Sequence, residues 1–356
     1  MNKKMIARRQ LIRFLAASPL LAAAGPLKLF ADATVNDILS PGQALDVLDF
    51  QRAAKKSLPI AHYGYIATGT DGDETLLANR SAFDRLYLRA MRMVDTSHID
   101  TSIELLGQEL SSPMVLAPAG SQRAFHDQGE LATARAARSR GHLQILSNVS
   151  TYSIEDVIEA RGEPVWFQLY PTSDWSVATK MIRRAEKAGA KVLVLTVDLN
   201  SDSNRLSLKR YIEKDTRDCG QCHDFSRPDH WLDRKPMYFE TGATASGFDT
   251  SAMTWDYIDR LKEFTDMKVV VKGIVTAEDA ESAMKSGADA VVVSNHGGRA
   301  EASGWATIDS LPEVVSAIGG EIPVMIASGF RRGTDTFKAL ALGADAVCFG
   351  RAYLWG

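Results

Sequence analysis

From Pro113 onward the chain repeats one pattern: a short apolar run, a polar or glycine turn, then an alanine-rich amphipathic stretch. The apolar runs are MVLAP (114–118), LQILS (143–147), VWFQLY (165–170), KVLVLTV (191–197), KVVVKG (268–273), AVVVSN (290–295), PVMIAS (323–328) and AVCFG (346–350). They are continuously apolar and β-branched rather than alternating, so both faces of each predicted strand are covered, as in a parallel sheet. Between them ELATARAARSRG, SVATKMIRRAEKAG, AEDAESAMKSG and DTFKALALG predict helices, several ended by glycine, which takes a left-handed C-terminal conformation without strain. Eight strand–helix units predict an α/β chain folded as a (β/α)8 TIM barrel. An open doubly wound sheet is the alternative, but no GxGxxG follows the first strand.

Three regions depart from the unit. Residues 35–60 predict an N-terminal helical lead-in with Leu39, Leu45, Val47, Leu48 and Phe50 as its apolar positions, and 62–83 reads as a glycine-rich loop followed by a helix. About residues 199–255 lie between the fourth and fifth strands without a regular pattern; a loop of that length in a compact domain is functional or disordered. Residues 1–33 carry a basic start, Arg8-Arg9 followed by Gln10, Leu11, Ile12 and Arg13, a short apolar centre, and Ala31-Asp32-Ala33 as a candidate cleavage site. They read as a twin-arginine-type signal peptide, with an ordinary secretory signal or a short membrane anchor as alternatives. That reading places the barrel, 34–356, in the periplasm.

Composition changes little in this picture. The chain is 45% hydrophobic and 24% charged with a formal charge of -3, so nothing favours nucleic acid or an anionic membrane surface. Three cysteines make no disulfide framework.

The chemistry gathers at the carboxyl ends of the predicted strands, where an α/β barrel keeps its active site. VVVSNHGGR (291–299) offers His296 for proton transfer near neutral pH and Arg299 for a two-pronged carboxylate contact. Lys272 ends a core strand with an ammonium that requires a partner. Ser147, Gln168, Tyr170, Thr196, Asp198, Arg331 and Arg351 stand at other strand ends. The plain readings are that Ser147 and Thr196 cap helices, that Gln168 satisfies buried backbone, and that Arg351 is a surface residue. Ser328-Gly329-Phe330-Arg331-Arg332-Gly333 and Phe349-Gly350-Arg351 end strands seven and eight, the corner that binds phosphate through backbone N–H groups, a helix start and assisting arginines. A phosphate-bearing cofactor follows.

VKGIVTAEDA, VSNHGGR and RRGTDTFKALALGADAVCFGR, with FQLY, LTVD and the earlier NRSAF, resemble the FMN-dependent α-hydroxy-acid oxidase and dehydrogenase family, from about Leu58 to Arg351. The resemblance implies oxidation of an L-2-hydroxy acid, lactate-like, to the 2-oxo acid by a hydride or carbanion route. His296 would be the base, Asp198 its partner, and Arg299 and Arg205 the clamp on the substrate carboxylate. Tyr65 and Tyr170 would hydrogen-bond to the substrate. Lys272 would stand at the flavin N1–C2 edge. Ser147, Gln168 and Thr196 would bind the ring, and Arg331, Gly350 and Arg351 the phosphate. The family also implies a homo-oligomer and an acceptor that is oxygen, a quinone or a cytochrome.

The chain departs from that pattern at four places. Ala327-Ser328-Gly329 replaces the usual Asp-Gly-Gly, removing a carboxylate contact to the ribityl chain that Ser328 would replace in part. Ala119-Gly120 replaces Thr-Ala after the first strand, which predicts extra space beside N5. LNSDSNR follows Asp198 in place of a proline-rich turn. The sequence ends at Gly356, so the last barrel helix is expected to be absent and apolar outer surface uncovered. Finally, Cys219, Cys222 and His223 have the CxxCH spacing of covalent haem c attachment; a local disulfide or a metal site fits the short loop better, and no role at all is a further reading. A flavin-binding sensor or electron-transfer protein without turnover is the rival function.

Overall fold

The computed structural model describes residues 41–218 and 226–356. The proposed leader (1–33), Leu39 and the CxxCH segment at Cys219, Cys222 and His223 lie outside the described residues.

The lead-in comprises helices α1 (Val47–Ser57), α2 (Ile60–Ala67) and α3 (Glu74–Ser81). Asp46 starts α1 by accepting from the amides of Leu48 and Asp49, the usual means of satisfying unpaired N-terminal donors. Two expectations need correcting. Leu45 is 94% exposed, because the helix begins after it. His62 to Ala67 is helical rather than loop, since Pro59 presets the first turn and the glycine-rich loop begins only at Thr68.

A hairpin of β1 (Ile103–Leu105) and β2 (Gln108–Leu110) precedes the barrel. Leu105 and Leu110 join the barrel's inner core, and the Trp166 indole donates to Gln108 Oε1 at 3.1 Å. Three residues per strand is too short for a periodic signal, which is why sequence pattern does not reveal it.

The barrel strands are β3 (Met114–Leu116), β4 (Leu143–Ser147), β5 (Trp166–Leu169), β6 (Val192–Thr196), β7 (Lys268–Ile274), β8 (Ala290–Val293), β9 (Val324–Ala327) and β10 (Ala346–Phe349). They pair in parallel in sequence order, and β10 closes on β3, which excludes the open doubly wound sheet. The helices between them are α4 (Gly129–Arg140), α5 (Ile154–Arg161), α6 (Trp175–Lys187), α7 (Leu206–Glu213), α8 (Asp256–Phe264), α9 (Ala277–Lys285), α10 (Thr307–Ile318) and α11 (Gly333–Ala341). Alternate strand residues such as Val115, Ile145, Val194, Val270, Val292 and Cys348 fill the interior. The others, including Phe167, Leu193, Val271, Val291 and Val347, pack beneath the helices.

The segment after β6 is not irregular throughout, as its composition suggested. It contains α7 and three short 3-10 turns, and Trp231, Tyr238 and Phe248 pack their rings together with centroids 4.8 to 6.3 Å apart. Aromatic burial, not periodicity, organises it.

After β10 the described chain makes one helical turn, α12 (Arg351–Leu354), and Trp355 packs against Tyr63 of α2. Met114, Leu116 and Phe349 at the β3–β10 seam are only half-buried, although Val115 and Cys348 beside them are buried inward. The outward-facing Val347 of β10 is nonetheless fully buried in the outer core.

Candidate active site

The strands deliver their polar residues to one cleft. It encloses about 1100 Å³ of non-atom space, its solvent-open mouth included, over the carboxyl ends of the barrel strands. Ala119, Gly120, Tyr170, Lys272, His296, Ser328, Gly329, Arg331, Gly350, Arg351, Arg205, Arg299 and Tyr65 all line it.

At its proton-transfer end, β8 stops at Val293 and the chain turns sharply. His296 adopts φ +58°, a left-handed conformation unusual for a residue with a side chain, so the surrounding structure must hold it there. Gly297 and Gly298 continue at φ +69° and +76°, and a Cβ on Gly298 would come within 2.4 Å of the Leu76 amide nitrogen. Glycine is thus required by conformation and by the close approach of α3. The imidazole Nδ1 lies 2.7 Å from Asp198 Oδ1, and Nε2 lies 3.0 Å from the Tyr170 hydroxyl. Asp198 also accepts from Lys272 Nζ at 3.4 Å, and both of these side chains are 6% exposed.

An ionised Asp198 requires the proton on Nδ1, which leaves the Nε2 lone pair to accept from Tyr170. Lys272 Nζ, 3.3 Å from the same Nδ1, then interacts with it through charge. Burial favours the neutral imidazole and lowers its pKa, Lys272 adds to that, and Asp198 opposes both. Burial pushes the Asp198 carboxyl up, but the charges of His296 and Lys272 outweigh it and keep the group anionic. The Tyr170 phenol is raised well above its ordinary value by burial and then by Asp198, so it stays a donor. A neutral base with a buried carboxylate behind it can accept a proton and have the resulting charge stabilised.

The other end is cationic. Arg205, Arg299, Arg331 and Arg351 line the cleft with Lys272, and its lining contains no Asp or Glu. Burial lowers Arg205 and Arg331 to about 10, with the neighbouring Arg299 and Arg80 contributing respectively. Arg351 is lowered well below its ordinary value, first by burial and then by Arg299, Arg331 and Arg205. Its three nitrogens donate to the carbonyls of Ile66 (2.6 Å), Gly297 (2.8 Å) and Thr68 (3.0 Å), which leaves part of the five-donor fork free and the charge unopposed. Arg205 and Arg299 each lie over the Tyr65 ring, 5.1 and 5.0 Å from its centroid, and among the described residues the Nε of each is buried without a partner. Half-buried cations with no acid beside them in the lining are a site for anions. Arg351 is accordingly no surface residue.

Four details differ from expectation. The backbone amides of Arg331 and Arg332 donate to Asp335 Oδ2 at 2.9 and 3.0 Å, so at this helix start the arginine side chains, not those two amides, remain for a phosphate. The Ser328 hydroxyl accepts from the Gly297 amide at 3.0 Å, bracing the His296 turn. Gly120 makes no extra space: a Cβ there would lie 2.4 Å from Val149 Cγ2, so the valine occupies that volume. Ser147, Gln168 and Thr196 are buried and bonded in a chain across β4, β5 and β6, Ser147 Oγ to Gln168 Oε1 at 2.7 Å and Gln168 Nε2 to Thr196 Oγ1 at 2.9 Å. None caps a helix, Gln168 bonds side chains rather than backbone, Ser147 Oγ also accepts from the Val149 amide at 3.3 Å, and all three stand behind the lining rather than in it.

Residues 54–356 match the family model for FMN-dependent dehydrogenase. The chain belongs to that family. It is 41% identical over 318 residues to a peroxisomal (S)-2-hydroxy-acid oxidase, GLO4, of Oryza sativa subsp. japonica, a match spanning 88% of this chain and 84% of the relative. An L-lactate oxidase of Lysinibacillus sphaericus is 38% identical over 320 residues, 86% and 81% of the two chains. A crystal structure of mandelate oxidase superposes with a TM-score of 0.75 at 34% identity, over 88% and 86% of the two chains. The cofactor of this family is FMN, and the donor set fits it: cations for a phosphate, and an apolar wall of Ala119, Val149, Phe330 and Leu354 for a planar ring.

Sequence reasoning overlooked Ser294, Phe125, Leu199 and Val149, all of which line the cleft. Ser294 is buried and its Oγ accepts from the His296 amide at 3.1 Å. Its place inside SNHGGR was a usable signal; the other three become neighbours only when distant loops meet.

Proposed function

We propose that this FMN-dependent enzyme oxidises a short L-2-hydroxy acid, lactate-like, to the 2-oxo acid. The observation that carries the reading is the Tyr170–His296–Asp198–Lys272 constellation facing an acid-free arginine cluster across one cleft. Arg299 and Arg205 hold the substrate carboxylate through their guanidinium groups, Tyr65 donates to its oxygens, and Tyr170 turns its hydroxyl from His296 Nε2 to the substrate as the substrate binds. His296 Nε2 takes a proton from the substrate, from its hydroxyl or its α-carbon, and Asp198 stabilises the imidazolium.

FMN, when bound, supplies the acceptor for the two electrons. Arg331, Gly350 and Arg351 would hold its phosphate, Lys272 would stabilise negative charge on the reduced flavin, Ser147, Gln168 and Thr196 would support its ring, and Ala119, Gly120, Ser328 and Gly329 would complete its binding surface. Val149, Leu199 and Phe125 make the remaining wall apolar and suit a short aliphatic side chain. Oxygen as acceptor is supported by the oxidases among the relatives, with a quinone or cytochrome as alternatives. The Arg8-Arg9 leader supports a periplasmic, exported enzyme, and the family supports a homo-oligomer.

Anaerobic L-lactate is expected to bleach the flavin of purified holoenzyme, and His296→Ala to abolish that bleaching. Bound FMN that no member of a panel of 2-hydroxy acids reduces would instead identify a flavin-binding protein without turnover.

A further inference from the structure

The long segment between β6 and β7 sends two side chains under the active-site wall. Lys235, 6% exposed, extends its ammonium to the Ser121 hydroxyl and, at 2.8 Å, to the Val149 carbonyl. Among the described residues it has no carboxylate in ion-pair contact; Glu130, fully buried, instead accepts from the amides of Thr151 and Gln122 and the Thr151 hydroxyl, on the same two loops. The Val149 carbonyl also accepts from the Ser121 amide at 3.1 Å, and Ser121 is held at φ +59°. The loops after β3 and β4 are therefore locked together, with Lys235 as the donor that bridges them. Three residues on, the Tyr238 hydroxyl accepts from Asn148 Nδ2 at 2.6 Å, and that amide also donates to the Tyr170 carbonyl at 3.1 Å.

We propose that Lys235 is a specificity-determining positioning residue: it fixes Val149 against Gly120 and thereby sets the room beside the substrate side chain, while Tyr238 does the same for Tyr170. The physical basis is the contact at Gly120. A Cβ there meets Val149 Cγ2 at 2.4 Å and the Val149 carbonyl oxygen at 2.8 Å, so the wall is closed only while Val149 stays where Lys235 holds it. The lining on this side is Ala119, Gly120 and Val149, none of which carries a polar side chain, so its position decides size selectivity rather than proton transfer. This rests on the hydroxy-acid reading for the identity of the substrate but not for the existence of the brace.

Two measurements separate those dependencies. The first needs no turnover. Gly120→Ala in the FMN-loaded enzyme is expected to lower the melting temperature, and Lys235→Met is expected to remove at least half of that loss when the two changes are combined, because Val149 is then free to yield. Val149→Ala is the control that should remove it as well. Additive effects of Gly120→Ala and Lys235→Met would overturn the brace.

The second is flavin reduction across 2-hydroxy acids with side chains from methyl to phenyl. Lys235→Met is expected to shift the ratio of kcat/KM for the large over the small acid at least tenfold, mainly through KM, and Ser121→Ala to shift it in the same direction by a smaller factor. A folded, FMN-loaded Lys235→Met whose ratio stays within twofold of the parent would overturn the specificity role. If the parent reduces its flavin with none of these acids, the hydroxy-acid reading fails alone. The melting cycle then still decides the brace, and L-lactate and phenyl-substituted acid binding by flavin absorbance titration replaces turnover for the ratio.

Discussion

The two ends of the cleft treat charge in opposite ways. Around His296 the charges are mutually compensated: Asp198 takes the imidazole Nδ1 and the Lys272 ammonium, and Tyr170 closes Nε2. Around Arg351 they are not: among the described residues four arginines share a cleft without an acid in its lining, and Arg351 rests on backbone carbonyls. The first end is complete as it stands and poised for proton transfer. The second end stores repulsion that only bound anions remove. Preorganisation thus means satisfied hydrogen bonds where a proton moves, and unsatisfied charge where a phosphate and a carboxylate must be captured.

The largest expected effect lies at the compensated end. His296→Ala should slow anaerobic flavin reduction by about 10²–10⁴-fold, the usual span for loss of a general base, with FMN still bound. Stopped-flow absorbance gives both numbers, and a rate within tenfold of the parent would remove His296 from the base role.

The anion end should respond to ligand rather than to chemistry. Arg351→Ala should weaken FMN binding while raising the melting temperature of the FMN-free protein, since one repelling cation has been removed. Inorganic phosphate should stabilise the FMN-free parent more than the variant, because an anion that binds only the folded state raises its stability by mass action. Equal phosphate responses would contradict the contrast between the two ends.

A smaller effect is expected in pH dependence. Because burial and Lys272 lower the His296 pKa, kcat/KM should hold steady as pH falls through the ordinary histidine range and decline only below it. Asp198→Asn removes the group that raises this pKa, so the decline should move to still lower pH while the maximal rate falls. A decline moving upward would reverse the assigned sign.

The least effect concerns stability. Burial lowers the Lys235 ammonium to about 8, whereas an unfolded lysine holds its proton to about 10.4. The unfolded chain then binds more protons between those values, so this group makes stability rise with pH from about 8 to 10.4. Denaturant titrations of parent and Lys235→Met should differ by that slope in this window only.

Much of this molecule was legible in its pattern. The eight apolar runs coincide with β3 to β10 to within one or two residues at most ends, LQILS matching β4 residue for residue. The polar residues closing the runs gather at one face, because parallel strands in a barrel all end there. Less visible were the β1–β2 hairpin, too short to show a period, and α7 and the aromatic turns inside a segment that composition alone presented as irregular. Gly120 misled for a related reason: a missing methyl reads as space unless the neighbour that fills it is known, and Val149 is 29 positions away.

By itself the sequence determined the barrel, the order of its strands and the identities of His296, Arg299, Lys272 and the arginine corner, since periodicity and strand-end chemistry are local properties. Only the tertiary structure decided that Lys272 shares Asp198 with His296, that Asp335 occupies two amides of the phosphate corner, and that Lys235 reaches Val149. Each of these is a contact between segments brought together by closure of the barrel or by packing of its loops. Distance along the chain says nothing about such contacts; the closed packing of buried polar groups, each needing a partner, does.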